Sequence, residues 1–336
     1  MSAYDLQGTF SSHYCSASFH MSFIYLALEL EELSQPNYDL LQQATALAIN
    51  EKAAQLVVGI KSKEIKDNLG CIDAIWDKIQ TFLGHAYVAQ IKVAYKADNP
   101  LFNCNIVFED VCGYSVYLEP NLTKVCVAEK DSAKIDAWNQ QRQAEGLGLL
   151  DKHILHLSQA SSHSMEIKRK GPIEPRIFQR VAVGGTFDHL HAGHKILLTM
   201  TALLSDKSMV VGVTDDCMLQ KKKHKDLIAP TMKRVKVVQE YLHSVKRGIQ
   251  YEVVPITDPF GPTVTDPTID GLVVSKETLK GGELVNNERD MRGYPPLELR
   301  IIDVISSESN SIEEKDMSVL KISSSWIREY IASNKN

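Results

Sequence analysis

Arg180 to His194 reads RVAVGGTFDHLHAGH. Val181, Ala182 and Val183 have the character of a buried strand. Gly184-Gly185 makes a tight turn, a short loop follows, and a helix starts at Ala192-Gly193-His194 and continues through KILLTMTALL, Lys195 to Leu204. A strand that feeds a helix through glycines leaves unpaired backbone N–H groups beyond the strand end. The helix dipole adds partial positive charge there, so an anion is favoured. His191 and His194, three residues apart on the first turn, share one face. Gly193 between them carries no side chain, so a ligand can approach the backbone. Imidazoles and free amides together make a cradle for phosphate. The spacing is neither that of the dinucleotide fingerprint G-x-G-x-x-G nor that of the G-x-x-x-x-G-K-[ST] loop.

Composition bounds what surrounds this stretch. A chain of 336 residues has room for two domains, each with its own core. Its 44% apolar and 24% charged content is that of an ordinary folded chain. The formal net charge of −5 argues against nucleic acid as the main partner. Cys15, Cys71, Cys104, Cys112, Cys126 and Cys217 form no C-x-x-C pair and no zinc-like cluster, which points to thiols in a reducing compartment. No apolar run is long enough for a bilayer, and the opening MSAYDLQGTFSSHYC lacks the basic region and apolar core of a secretory signal. The expected location is the cytoplasm. Lys168-Arg169-Lys170 is the sole hint of the nucleus, and three charges in a linker are usually just solvated.

Residues 1–150 are expected to form an N-terminal α/β domain. Ser22–Leu30 is apolar and reads as part of a core element. Helices are expected over Tyr38–Ala54, around Ile72, Ile75, Trp76, Ile79 and Leu83, and over Asp131–Ala144, with Gly146 and Gly148 loosening the last. Strands are expected at Tyr87–Tyr95, Asn105–Phe108, Tyr114–Leu118 and Lys124–Val127. His13, His20 and His85 are scattered and read as structural, Trp76 and Trp138 as core or interface. Residues 151–176, rich in Ser, Lys, Arg and Pro, read as a linker.

Residues 177–336 read as a β-α alternation: strands at Met209–Val213, Tyr251–Ile256, Gly271–Val274 and Leu299–Ile305, and a helix after Pro230 with Met232, Val235, Val238, Leu242 and Val245 on one stripe. Short continuous apolar strands between amphipathic helices imply a Rossmann-like parallel sheet covered on both faces. Ligands bind such sheets beyond the carboxyl ends of the strands, where strand order reverses. Thr214-Asp215-Asp216, the cluster Lys221, Lys222, Lys223 and Lys225, and Ser323-Ser324-Ser325 ahead of a helix carrying Arg328 are expected at that edge. Serines there cap the helix and offer hydroxyls to phosphate oxygens, and Arg328 supplies a planar charged fork.

The stretch GGTFDHLHAGH resembles the T/HxGH signature of the nucleotidylyltransferase superfamily, and Ile322 to Arg328, ISSSWIR, its ISSxxxR signature. Together with the lysine cluster, Asp258-Pro-Phe-Gly-Pro262 and Val273–Thr278, they resemble the eukaryotic and archaeal phosphopantetheine adenylyltransferases over roughly residue 180 to the end. That resemblance implies adenylyl transfer from ATP to 4′-phosphopantetheine, giving dephospho-CoA and pyrophosphate in coenzyme A synthesis. It assigns His194 to the α-phosphate, and His191, Gly184 and Gly185 to the ATP polyphosphate. Ser323, Ser324, Ser325 and Arg328 take the β- and γ-phosphates. Thr186 and Phe187 fall to the acceptor. Lys222, the best match to the family's lysine, bridges acceptor and α-phosphate, with Lys223 an adjacent candidate. Magnesium is expected on the pyrophosphate, held by substrate and water rather than by protein ligands. Bacterial enzymes carry arginines after the fourth strand where this chain has Ser275–Thr278, so Lys276 or Lys280 is the candidate substitute. No kinase loop follows Arg328, so a single activity is expected, with the N-terminal half a docking surface for other enzymes of coenzyme A synthesis. The alternatives are a cytidylyltransferase for an alcohol phosphate, or an inactive scaffold of the same fold.

Overall fold

In the computed structural model, the described residues are 22–34, 38–157, 174–303 and 323–334. The first half contributes β1 (Phe23–Leu30), α1 (Tyr38–Asn50), β2 (Leu56–Ser62), α2 (Lys63–Asp67), α3 (Trp76–Lys96), β3 (Cys104–Phe108), β4 (Leu122–Ala128), α4 (Lys134–Ala144) and β5 (Asp151–Leu155). Its sheet runs β3-β2-β1-β4-β5, every pair parallel. The second half contributes β6 (Phe178–Gly185), α5 (Ala192–Leu204), β7 (Ser205–Thr214), α6 (Thr231–Val245), β8 (Gln250–Ile256), β9 (Gly271–Ser275), α7 (Leu279–Met291), β10 (Glu298–Ile302) and α8 (Ser324–Ser333). Its sheet runs β10-β9-β6-β7-β8, again all parallel. From β6 the chain winds outward through β7 to β8, then returns to β9 on β6's other side. Strand order therefore reverses at β6, and Gly184-Gly185 ends the strand at that switch point.

Both halves are α/β with parallel sheets. Several local expectations are corrected. Tyr87–Tyr95 is not a strand but the C-terminal half of α3. This helix packs on α1 and on α5, and Ala86 through Ile91 are all buried. Burial all round erases the one-sided apolar stripe from which a helix is read. Tyr114–Leu118 is a loop with a 3-10 turn at Val116–Leu118. Gly113 at φ +78° turns the chain there, and Tyr114 leaves the sheet to stack on Arg247, 3.6 Å from ring centre to guanidinium. β2 and α7 have no counterpart in the sequence reading. Asp151–Leu155 is an edge strand paired with β4 rather than the start of a linker. His13, Cys15, His20, Lys168, Arg169, Lys170, Val304, Ile305 and Ile322 lie outside the described residues.

The two halves share one core. Ile24, Leu26 and Val58 of the first sheet belong to the same buried cluster as Val181, Ile196, Met200, Val273 and Ile327 of the second half. A buried bidentate ion pair crosses the boundary: Arg300 on β10 donates to both carboxylate oxygens of Asp73 at 2.8 and 2.7 Å.

Candidate active site

The site starts from the end of β6. A Cβ on Gly185 would stand 3.1 Å from the Phe187 ring, so a side chain there would press on the ring that folds back under the strand. Phe187 and His189 both hold positive φ, 49° and 48°, which non-glycine residues adopt only when surroundings enforce it. The enforcement is visible. Phe187 is buried, the Thr186 carbonyl accepts from Arg234 at 2.7 Å, and a ring nitrogen of His189 lies 3.2 Å from the Leu227 carbonyl. Thr186 thus stands at the mouth of the turn, while the Phe187 side chain faces inward.

His191 holds the N-cap position of α5 with extended backbone, and no side chain caps that helix. The first-turn amides are left for an anion. The His191 and His194 rings stack at 4.0 Å, and Phe187 lies 5.4 Å from His194. The Nδ1 atoms of both histidines are buried without a hydrogen-bond partner. Burial pushes the His194 pKa down to about 4. Burial, with His194, Lys195 and His189 beside it, holds His191 well below the usual imidazole value. Both rings are therefore neutral near pH 7 and stack where two cations would repel.

The distant C-terminal segment reaches the same loop. Ser323 caps α8 by accepting from the Trp326 amide, and the Ser324 hydroxyl donates to the Asp188 carbonyl at 2.8 Å. Arg328 is buried and donates to the Asp188 carboxylate at 2.5 Å, to the Ser325 hydroxyl at 3.1 Å and to the Lys223 carbonyl at 3.0 Å. The structure thus brings together Gly184, Gly185, Thr186, His191, His194, Ser324, Ser325 and Arg328 around one loop. Arg328 reaches it as a buried brace rather than as an open fork. Lys222 is exposed on the segment between β7 and α6, and Lys223 is exposed with its ammonium 2.9 Å from Glu329. On the opposite edge Lys276 lies 3.8 Å from Asp303, and Lys280 is exposed.

Three residues of the site are absent from the sequence reading. Asp188, fully buried, receives Arg328 and so joins the two signature segments. A buried acid needs a buried cation as its partner, and that need was the available signal. His189 adds a third imidazole, 3.5 Å from Asp188. Arg234, buried on the first turn of α6, donates to the Thr186 and Thr214 carbonyls at 2.7 and 2.8 Å, and so ties together the exits of β6 and β7; Asp216 receives it at 2.8 Å. A cation at a helix start runs against the dipole and has to be paired, which marks it in hindsight.

Among the described residues no group of three or more His, Cys, Asp and Glu side chains could hold a metal, and no helix is long and apolar enough to cross a membrane. A family model described as cytidylyltransferase-like matches residues 182–330. The chain is 30% identical over 269 residues to a phosphopantetheine adenylyltransferase of Saccharomyces cerevisiae, covering 76% of this chain and 85% of that protein. That alignment is longer than residues 177–336, so the likeness runs into the N-terminal half, further than the motifs alone carried it. A phosphopantetheine adenylyltransferase of Pyrococcus abyssi is 38% identical over 151 residues, 45% of this chain and 89% of that one. An uncharacterized protein of Schizosaccharomyces pombe is 48% identical over 151 residues, and the match spans about half of its length, 48%. With a strand-turn-helix loop at the switch point, a serine-capped helix locked onto it, and a relative matched across three quarters of this chain and 85% of its own length, this chain belongs to the phosphopantetheine adenylyltransferase family.

Proposed function

We propose that the chain transfers the adenylyl group of ATP to 4′-phosphopantetheine. An acceptor phosphate oxygen attacks the α-phosphorus, a new P–O–P bond forms, the bond to the β-phosphate bridging oxygen breaks, and pyrophosphate leaves with the electron pair. The acceptor is already a nucleophile, so no base and no covalent enzyme intermediate is required. Catalysis is then positioning plus stabilisation of charge. The first-turn amides of α5 and the Gly184-Gly185 turn would cradle the polyphosphate. His194 would donate to the α-phosphate as charge builds, and His191 to the adjoining phosphate. Ser324 and Ser325, held by Asp188 and Arg328, would face the leaving pyrophosphate. Thr186 would take the acceptor phosphate, and Lys222 or Lys223 would swing in from the exposed segment to bridge the two substrates. Magnesium, where it takes part, would arrive on the triphosphate and neutralise the leaving group.

One observation carries this: Ser324 and Arg328 meet the T/HxGH loop at a single residue, Asp188. The cytidylyltransferase-like family model keeps a second reading in play, CTP with an alcohol phosphate. Nucleotide and acceptor panels separate them. ATP with 4′-phosphopantetheine is expected to release pyrophosphate at a rate well above CTP with glycerol phosphate or choline phosphate. Robust CTP use without phosphopantetheine turnover would reject the assignment.

A further inference from the structure

The helix that carries the second signature, α8, is held on two opposed faces. Residues two apart on an α-helix point about 200° apart, so Trp326 and Tyr330 face away from Ser324 and Arg328. One face meets the loop after β6: Ser324 donates to the Asp188 carbonyl, and Arg328 to the Asp188 carboxylate and the Lys223 carbonyl. Glu329, next to Arg328, accepts from the Lys223 ammonium at 2.9 Å. The other face rests on the first half of the chain. The Trp326 ring stacks on Tyr330, with centroids 5.2 Å apart and planes 15° apart. It also meets the Tyr95 ring of α3 at 5.8 Å, tilted by 58°. All three rings are half-buried, and Tyr95, Trp326 and Ile331 pack against the core cluster that both halves share. Such aromatic pairs hold their partners beyond what their buried area supplies. The helix α3 packs on α5 as well, so one helix of the first half touches both helices of the proposed site.

We infer that Tyr95 is a positioning residue for the leaving-group end of the site: through Trp326 it fixes where α8 holds Ser324 and Ser325. The inference rests on the adenylyl-transfer reading of those serines. Ser324 and Arg328 both fasten α8 at Asp188, which leaves a helix free to roll about that line of contact. A ring pressed on the opposite face blocks the roll. Hydroxyls stabilise a departing pyrophosphate only at hydrogen-bond distance, and a misplacement of about 1 Å is enough to lose much of the rate. The N-terminal half thus acts on the reaction without touching the substrate.

The test uses the full chain with Tyr95→Ala and, as the conservative variant, Tyr95→Phe, with thermal melts confirming that both fold. Tyr95→Leu, which keeps apolar volume but no ring, gives the same readings where the alanine variant is unstable. Loss of the ring is expected to weaken binding of ATP and of inorganic pyrophosphate roughly fivefold in calorimetry, the scale of one aromatic pair. It is expected to lower kcat by a similar factor and to leave KM for 4′-phosphopantetheine unchanged. Tyr95→Phe keeps the ring and is expected to match the wild type. A residue that serves only the fold would lower Tm and leave both affinities as they were. That result in a folded ring-less variant overturns the inference, and so does an equal loss in Tyr95→Phe. Calorimetry reads the site without turnover. A wild type that transfers no adenylyl group, yet loses ATP and pyrophosphate affinity with the Tyr95 ring, refutes the reaction and upholds the positioning role. Turnover of ATP with 4′-phosphopantetheine, with both affinities unchanged in Tyr95→Ala, does the reverse.

Discussion

His191 and His194 are stacked, buried and neutral, and that state has a measurable cost in acid. In the unfolded chain an imidazole titrates near 6.5, whereas folded His194 titrates at about 4 and His191 also far below the ordinary value. The unfolded state therefore binds more protons as pH falls, and the folded state loses stability. Stability is full above about pH 6.5 and declines progressively toward pH 4. Thermal melts between pH 7.5 and 5 are expected to show Tm dropping by several degrees, and His194→Gln to flatten that drop. An equal slope in the variant would mean other groups carry it. At Asp188, substitution by Asn leaves Arg328 charged, buried and unpaired. A loss of about 3–5 kcal/mol is expected, read from urea unfolding; a change under about 0.5 kcal/mol, the range of ordinary surface substitutions, would mean the pair is dispensable. At this scale the histidines, glycines, serines and Arg328 were legible because each sits in a signature at fixed spacing. The buried role of Arg328 was not. Its partner Asp188 lies 140 positions away, and no local pattern couples them.

The elements that matter here are helix starts. α5 leaves its first turn uncapped by any side chain, α8 is capped by Ser323, and α6 is fastened at its first turn by Asp216, which accepts from the Thr231 amide at 3.1 Å. Arg234 then binds α6 to the exits of β6 and β7. Arg234→Met keeps the aliphatic stem but leaves the Thr186 and Thr214 carbonyls without their donor, while Asp216 keeps the Thr231 amide. It is expected to cost about 1–3 kcal/mol and to weaken ATP binding measured by calorimetry. Wild-type ATP affinity in a folded Arg234→Met protein would show that the turn holds its shape without this clamp. Strands β6 to β9 and helix α6 were legible because continuous apolar runs alternate with one-sided stripes. α3 was legible only in its first half, since its second half is buried on every side and carries no stripe. β5 was hidden by its exposed ends: Asp151 and Lys152 are solvent-facing edge residues, and their polarity reads as linker.

Across the whole molecule, the two sheets are fused rather than tethered. Asp73 and Arg300 pair in the buried boundary, Lys195 of α5 reaches across to Asn103 and Cys104, and Tyr114 donates to the Ser244 carbonyl at 2.7 Å. Scanning calorimetry is therefore expected to give one cooperative transition for the full chain. Asp73→Ala is expected to lower Tm and broaden or split the transition, and two well-separated transitions in the wild type would contradict a shared core. The sequence pattern predicted two α/β halves but not their fusion, because the contacts that join them pair residues up to 227 positions apart. The most direct test of the central claim is pyrophosphate release from ATP and 4′-phosphopantetheine, measured side by side for the wild type and for His194→Ala. Adenylyl transfer at the His194 cradle predicts dephospho-CoA and pyrophosphate in equal amounts from the wild type, and a rate lower by about 10²–10³ in the folded variant. A His194→Ala protein that turned over at the wild-type rate would contradict it.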